Sequence, residues 1–227
     1  MTRFVDLSHP VVDGTDPFPG LPAPRIEPYI TRAASRDRYG GLAEFEISRV
    51  FLVGNSGTYL DSPFHRFAGR DDIAGLPLER IAGLAAIRFD ARFEPDERAV
   101  AAGGLPEQLE GSAVLVHTGW SRRRGTAGYW APGPYLSAAL VDQLIDRRVA
   151  LVGFDGWNVD DVADLARPAH TRLLEAGILI VEHLTHLDAL PARGFRFTAV
   201  PAPIRGVASF PVRAFAELDE TAGPAAS

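Results

Sequence analysis

Ser137-Ala138-Ala139-Leu140-Val141-Asp142-Gln143-Leu144-Ile145-Asp146, followed by Ala150-Leu151-Val152-Gly153-Phe154, is the stretch that decides the fold class. Its first half carries apolar residues at helical spacing behind a serine suited to cap a helix. Its second half is a short apolar run of the length of a buried strand. The pattern then repeats. Ala169 to Ala176 reads as a second, shorter helix stopped at Gly177, and Gly177-Ile178-Leu179-Ile180-Val181 as the next strand. Helix, strand, helix, strand in succession predicts a mixed α/β fold.

Upstream, Ala85-Ala86-Ile87-Arg88-Phe89 and Ala113-Val114-Leu115-Val116-His117 read as further buried strands. Glu44 to Val53 begins with period-two alternation, as a half-buried strand does. The first half of the chain is rich in strands and turns, which argues against a plain doubly wound sheet. Residues 13–28, rich in Pro and Gly, read as an ordered arm, a lid or a dimer contact. The tail from Thr221 to Ser227 is expected to fray. No internal repeat or long linker divides the 227 residues, so one domain over 1–227 is expected.

Composition narrows the chemistry. The chain is 46% hydrophobic and 23% charged, enough to bury a core without staples. It has no cysteine, which excludes disulfides, thiolate metal sites and a thiol nucleophile. All 23 basic residues are arginine, which excludes Schiff-base and P-loop lysines. A net charge of −6 argues against a generic nucleic-acid partner, and Arg122-Arg123-Arg124 reads as a solvated loop. No apolar run approaches the ~20 residues of a membrane span. Met1 to Asp6 lacks the apolar core of a signal peptide, so a cytoplasmic protein is expected.

Two polar constellations stand out. Gly54-Asn55-Ser56-Gly57-Thr58-Tyr59-Leu60-Asp61-Ser62-Pro63-Phe64-His65 follows a predicted strand and brings Asp61, Ser62 and His65 to its end. It is a turn with an Asx cap and a surface histidine, or the start of an active site. Downstream, His170 sits near the start of the short helix and Glu182 closes the strand that follows. A carboxylate and an imidazole at adjacent element ends suit a divalent metal site, or equally a surface ion pair. His183 and His186 are weaker candidates.

Taken together these stretches resemble the cyclase family of bacterial arylformamidases (kynurenine formamidases) and isatin hydrolase-like enzymes. The resemblance runs from Phe4-Val5-Asp6-Leu7-Ser8-His9-Pro10 and Pro17-Phe18-Pro19-Gly20 to the Gly-Thr-x-x-Asp-x-Pro-x-His core at 57–65. It continues through Leu76-Pro77-Leu78, Val116-His117-Thr118-Gly119-Trp120 and Gly153-Phe154-Asp155-Gly156, then His170 to Glu182 and Leu187 to Pro191. It implies a swivelling β/β/α mixed-sheet domain, a homo-oligomer (dimer or tetramer) and a metal-dependent hydrolase. The family loop reads His-x-Gly-Thr-His-x-Asp-x-Pro-x-His. By resemblance Asp61 is the bridging carboxylate, His65 the proton shuttle, and His170 and Glu182 downstream ligands. Asn55 and Tyr59 stand where the family has two ligand histidines. An amide oxygen is a weak ligand, and a phenol must lose a proton near pKa ~10 to bind well.

Three readings follow. The first is a hydrolase of a small amide, formamide or lactone with one divalent ion, zinc or manganese, on Asp61, His170 and Glu182. His65 then shuttles the proton, while Tyr59 and Asn55 donate to the developing oxyanion. The second is a metal-free cyclase or dehydratase using His65 with Asp61 or Glu182, and Tyr59. The third is a binding protein that kept the pocket without the chemistry. In each, the partner is a small, planar or aromatic molecule, with Trp120, Tyr129, Trp130, Tyr135 and Trp157 as candidate walls.

Overall fold

A computed structural model describes residues 1–15, 18–91, 93–94 and 96–219. The expected frayed tail, and Pro17 of the proline-rich motif, lie outside these residues. Nine strands form one mixed sheet. In chain order they include β1 (Thr2–Asp6), β4 (Tyr59–Asp61) and β5 (Leu84–Asp90), with β2 (Arg25–Ile30) and β3 (Ile47–Phe51) between the first two. After β6 (Ala99–Val100) come β7 (Ala113–His117), β8 (Tyr135–Leu136), β9 (Leu151–Phe154) and β10 (Leu179–Glu182). The chain closes with β11 (Arg193–Thr198), β12 (Ser209–Pro211) and β13 (Phe215–Asp219). The order across the large sheet is β1-β13-β11-β5-β7-β9-β10-β4-β12. Its centre, β5-β7-β9-β10, is parallel, and antiparallel strands extend it on both sides.

The expected α/β segment is present. Helix α2 (Ala138–Asp146) begins at Ser137, whose side chain accepts the Leu140 amide at 3.2 Å. Helix α3 (Pro168–Glu175) ends before Gly177, which takes the positive φ of +77° that a stop there requires. Both helices cover one face of the parallel strands. Val114, Val116, Val152 and Ile180 meet Leu140, Leu144, Leu173 and Leu174 there. The alternate residues Leu115, Leu151, Leu179 and Val181 join Leu7, Leu60 and Phe197 on the opposite face. Burial on both faces explains why these strands read as continuous apolar runs. Among the described residues no helix is long and apolar enough to cross a membrane.

β3 departs from expectation. All five of its residues are exposed, and it pairs with β2 in a separate two-stranded ribbon flanking helix α1 (Arg32–Arg38). Alternation there does not mark a half-buried strand, because the ribbon stands off the main sheet.

Candidate active site

The site follows from strand register. On β10 the alternation that sends Leu179 and Val181 to one core sends Ile180 and Glu182 to the helix face. β4 runs antiparallel beside it, with Asp61 opposite Ile180 and Tyr59 opposite Glu182. β12 pairs on the other side of β4, with Ser209 opposite Asp61. Residues directly opposite in antiparallel strands share a face. Tyr59, Asp61, Glu182 and Ser209 therefore form one patch at a sheet end, under the start of α3. Gly54 lets the preceding loop lie this close: a Cβ there would sit 2.1 Å from the Ser209 carbonyl oxygen.

His170 enters from above on the buried face of α3, with Leu173 and Leu174 one turn on. Its Nε2 lies 3.6 Å from Glu182 Oε1 and 3.8 Å from Asp61 Oδ2. One ligand atom from each of the three lies within 4.8 Å of the others. Asp160, unnoticed in the sequence, orients the ring. Its carboxylate accepts from His170 Nδ1 at 2.6 Å and from the Ala169 and His170 amides at 2.6 and 3.2 Å. A protonated Nδ1 leaves Nε2 with its lone pair toward the two acids, when no proton occupies it, as in a carboxylate–histidine–metal arrangement.

Two features test whether a divalent ion suits this donor set. Asp61 Oδ2 is fully buried without a hydrogen-bond donor, an orphan that is costly unless a cation or proton meets it. Burial alone would lower the His170 pKa, but Glu182, Asp160 and Asp61 overcome it and raise it to about 10. Burial, with Asp61 nearby, pushes Glu182 up to about 7. In the ion-free chain protons supply the positive charge that these carboxylates demand. One imidazole and two carboxylates, three ligands in all, fit a single hydrolytic ion.

Tyr59 occupies the other flank. Burial, then Glu182 and Asp61, raise its pKa well above 10, so the phenol keeps its proton and donates it to Glu182 Oε2. Glu182 Oε1 accepts the Val159 amide at 2.7 Å. A Tyr59 proton held by Glu182 is engaged rather than waiting for an oxyanion. Asn55 lies beside the phenol and lines the cavity.

His65 sits on the 3-10 turn Pro63–His65, its ring 5.8 Å from that of His170. Burial, offset in part by Asp61, lowers its pKa, so it is neutral at pH 7. The Ser209 hydroxyl donates to Asp61 Oδ1 and lies 3.1 Å from His65 Nδ1. An ionised Asp61 accepts the hydroxyl's hydrogen bond, so Nδ1–H donates to the Ser209 oxygen and Nε2 is the basic nitrogen.

A cavity of about 230 Å³ fronts these groups, lined by Phe18, Leu21, Asn158, Arg66 and Arg167 besides the residues above. The proline-rich arm thus covers the site of its own chain. Phe18 packs edge-on against Trp130 and Trp157 at 5.9 and 5.5 Å. None of the five tryptophans and tyrosines expected as walls lines this cavity. Trp120, Tyr129, Trp130 and Trp157 form a cluster behind Phe18, and Tyr135 faces Arg98. His183 is buried behind Tyr59, its Nδ1 taken by the Tyr129 hydroxyl at 2.6 Å and by Arg124 at 2.9 Å. His186 is exposed and meets the Asp6 carbonyl.

Known proteins bear on this geometry. Kynurenine formamidase of Salinibacter ruber is 28% identical over 218 residues, 93% of this chain and 95% of that protein. Isatin hydrolase of Roseibium aggregatum is 25% identical over 242 aligned positions, covering 91% and 90%. The solved isatin hydrolase A from Labrenzia aggregata, bound to benzyl benzoate, superposes with a TM-score of 0.78 at 26% identity, over 96% of this chain and 94% of that one. The family model described as "Putative cyclase" matches residues 5–161. On that match, and on a mixed sheet shared with these hydrolases, the chain belongs to the cyclase family.

Proposed function

We propose that the protein is an arylformamidase-like hydrolase that cleaves the carbon–nitrogen bond of a small amide or formamide, a bond other than a peptide bond, or the ester bond of a lactone. One divalent ion, zinc or manganese, is held by Asp61, His170 and Glu182. The observation that carries this reading is the convergence of His170 Nε2, the orphaned Asp61 Oδ2 and Glu182 Oε1 in a buried site. When bound, such an ion acidifies the attacking water toward pKa ~7 and polarises the substrate carbonyl.

The chain's own residues supply the rest. His65 Nε2 takes the proton of the attacking water and returns it to the leaving nitrogen or oxygen, a transfer worth roughly 10²–10⁴-fold. Ser209 and Asp61 hold the ring in the tautomer that makes this possible. Tyr59 fixes the Glu182 carboxylate through Oε2, which leaves Oε1 facing His170. Phe18 and Leu21 keep water from the far side of the cavity and suit a planar, aromatic substrate.

The chain forms homo-oligomers through the β2–β3 ribbon. Ile26, Tyr29, Ile47, Val50 and Phe51 are exposed on it, and an isolated two-stranded ribbon is marginal in water. Sedimentation of Val50→Arg against the parent chain checks this, with a smaller species expected for the variant. The reading as a whole is tested by a panel of formanilide, a cyclic imide and an aryl lactone, assayed before and after chelation. Turnover that chelator removes and zinc or manganese restores supports it. Turnover indifferent to chelator removes the ion from the mechanism and leaves the acid–base groups of the metal-free reading, His65 with Asp61 or Glu182, and Tyr59.

A further inference from the structure

Two arginines line the cavity without an ion-paired carboxylate; Asp161, which feels the charge of Arg167, is bonded to Arg98 instead. Arg66 reaches across from the turn after His65 to Thr171 Oγ1 at 2.8 Å and to the carbonyls of Ala166 and Arg167. Those bonds use Nε and Nη2 and leave Nη1 uncommitted among the described residues. Arg167 makes a single long contact, Nη1 to the Asp161 carbonyl at 3.4 Å. Neither arginine forms an ion pair among the described residues, whereas at least nine other arginines do. Arg167 is also held at φ +49°, a left-handed backbone that an ordinary side chain adopts only at a cost. That backbone brings it to the cavity wall beside His170. The one acid lining the cavity, Glu182, already has both oxygens engaged.

A guanidinium offers a planar fork that matches a carboxylate, and two such forks with spare donors at one opening are complementary to an anion. We propose that the substrate carries a carboxylate remote from the bond that is cleaved, held by Arg66 and Arg167. The inference rests on the hydrolase reading for its reaction but not for the anion site itself.

The test uses formanilide beside 2-, 3- and 4-formamidobenzoate, which add only a carboxylate. The whole protein should prefer the best of the three acids by about ten- to a hundred-fold in kcat/KM, the range of a charge-assisted pair. Arg167→Asn, chosen because asparagine tolerates the left-handed backbone, and Arg66→Gln should each cut that ratio about ten-fold or more. Thermal melts report whether each variant folds. A ratio near one in the parent chain, or a ratio unmoved in folded variants, overturns the proposal and leaves the hydrolase standing. If no compound is turned over, the hydrolase reading fails for this class, and calorimetry with benzoate and benzamide decides the anion site separately. Benzoate preferred in the parent chain and not in Arg167→Asn upholds it. Equal binding of the two, or a benzoate preference that survives the substitution, overturns it.

Discussion

Glu182 divides the site into two unlike halves. On one side stand Asp61 and His170, with a buried carboxylate oxygen lacking a donor and an imidazole braced by Asp160. On the other stand Tyr59 and Asn55, where a protonated phenol closes on Glu182 Oε2. Asp61, Tyr59 and Glu182 are buried on one sheet face, while His170 enters from α3 and Asn55, half-buried, from the loop before β4. The two halves differ in what the buried acid meets: a gap that asks for a cation, or a hydrogen that satisfies it. The difference teaches that a tyrosine, where the family resemblance implies a histidine, need not leave a hole. The phenol satisfies one oxygen of Glu182, and the other, which accepts the Val159 amide and faces His170, is the one proposed to share a single ion.

The largest effect expected concerns the base of the chelating half. His65→Gln should lower kcat by about 10²–10⁴-fold while the ion content of the protein stays unchanged, as plasma mass spectrometry would show. Loss of the ion in this variant would mean that His65 is a ligand rather than a proton carrier. Asp160→Asn comes next. It keeps the size of the side chain yet weakens the hold on His170 Nδ1, and about a 10–100-fold loss of metal affinity is expected. Competition against a chromogenic chelator would measure it.

The hydrogen-bonded half should respond in the opposite way to a change of ligand type. Asn55→His with Tyr59→His restores imidazoles on that flank, and metal content should rise from about one ion per chain toward two. Tyr59→Phe alone should leave one ion bound and cost the protein about 1.5–3 kcal/mol of stability, read by urea denaturation. A pH profile gives the smallest expected effect. Burial lowers the His65 pKa below its ordinary 6.5, and a neighbouring cation would push it the same way. The proton acceptor is the neutral ring, so kcat/KM should be level near pH 7 and fall only below pH 6.5. A fall centred above 6.5 would separate His65 from the acid limb.

The convergence of Asp61, His170 and Glu182 was expected from the family resemblance, since their local spacing alone fitted a surface turn and an ion pair as well. Asp61 and His65 lie four apart after a strand, while His170 and Glu182 begin a helix and end a strand. Ser209 was not legible. It is 148 positions from Asp61 and reaches it only through the β12–β4 register, which no local pattern encodes. Asp160 was hidden for a related reason: it lies in a turn rich in acids, and only the fold shows which of them caps α3. The central strands were read correctly because burial on both faces makes them continuously apolar. β3 was misread because a ribbon standing off the sheet alternates without a core to alternate against. The tryptophans were read as walls when they are packing behind the arm, since an aromatic residue in a turn looks alike in either role.

The most direct test of the central claim is metal content by plasma mass spectrometry on the untagged protein, beside Asp61→Ala and His170→Ala. About one zinc or manganese per chain, absent from both variants, is the result predicted. No ion in the parent chain after incubation with both metals, or an ion that survives both substitutions, would contradict it.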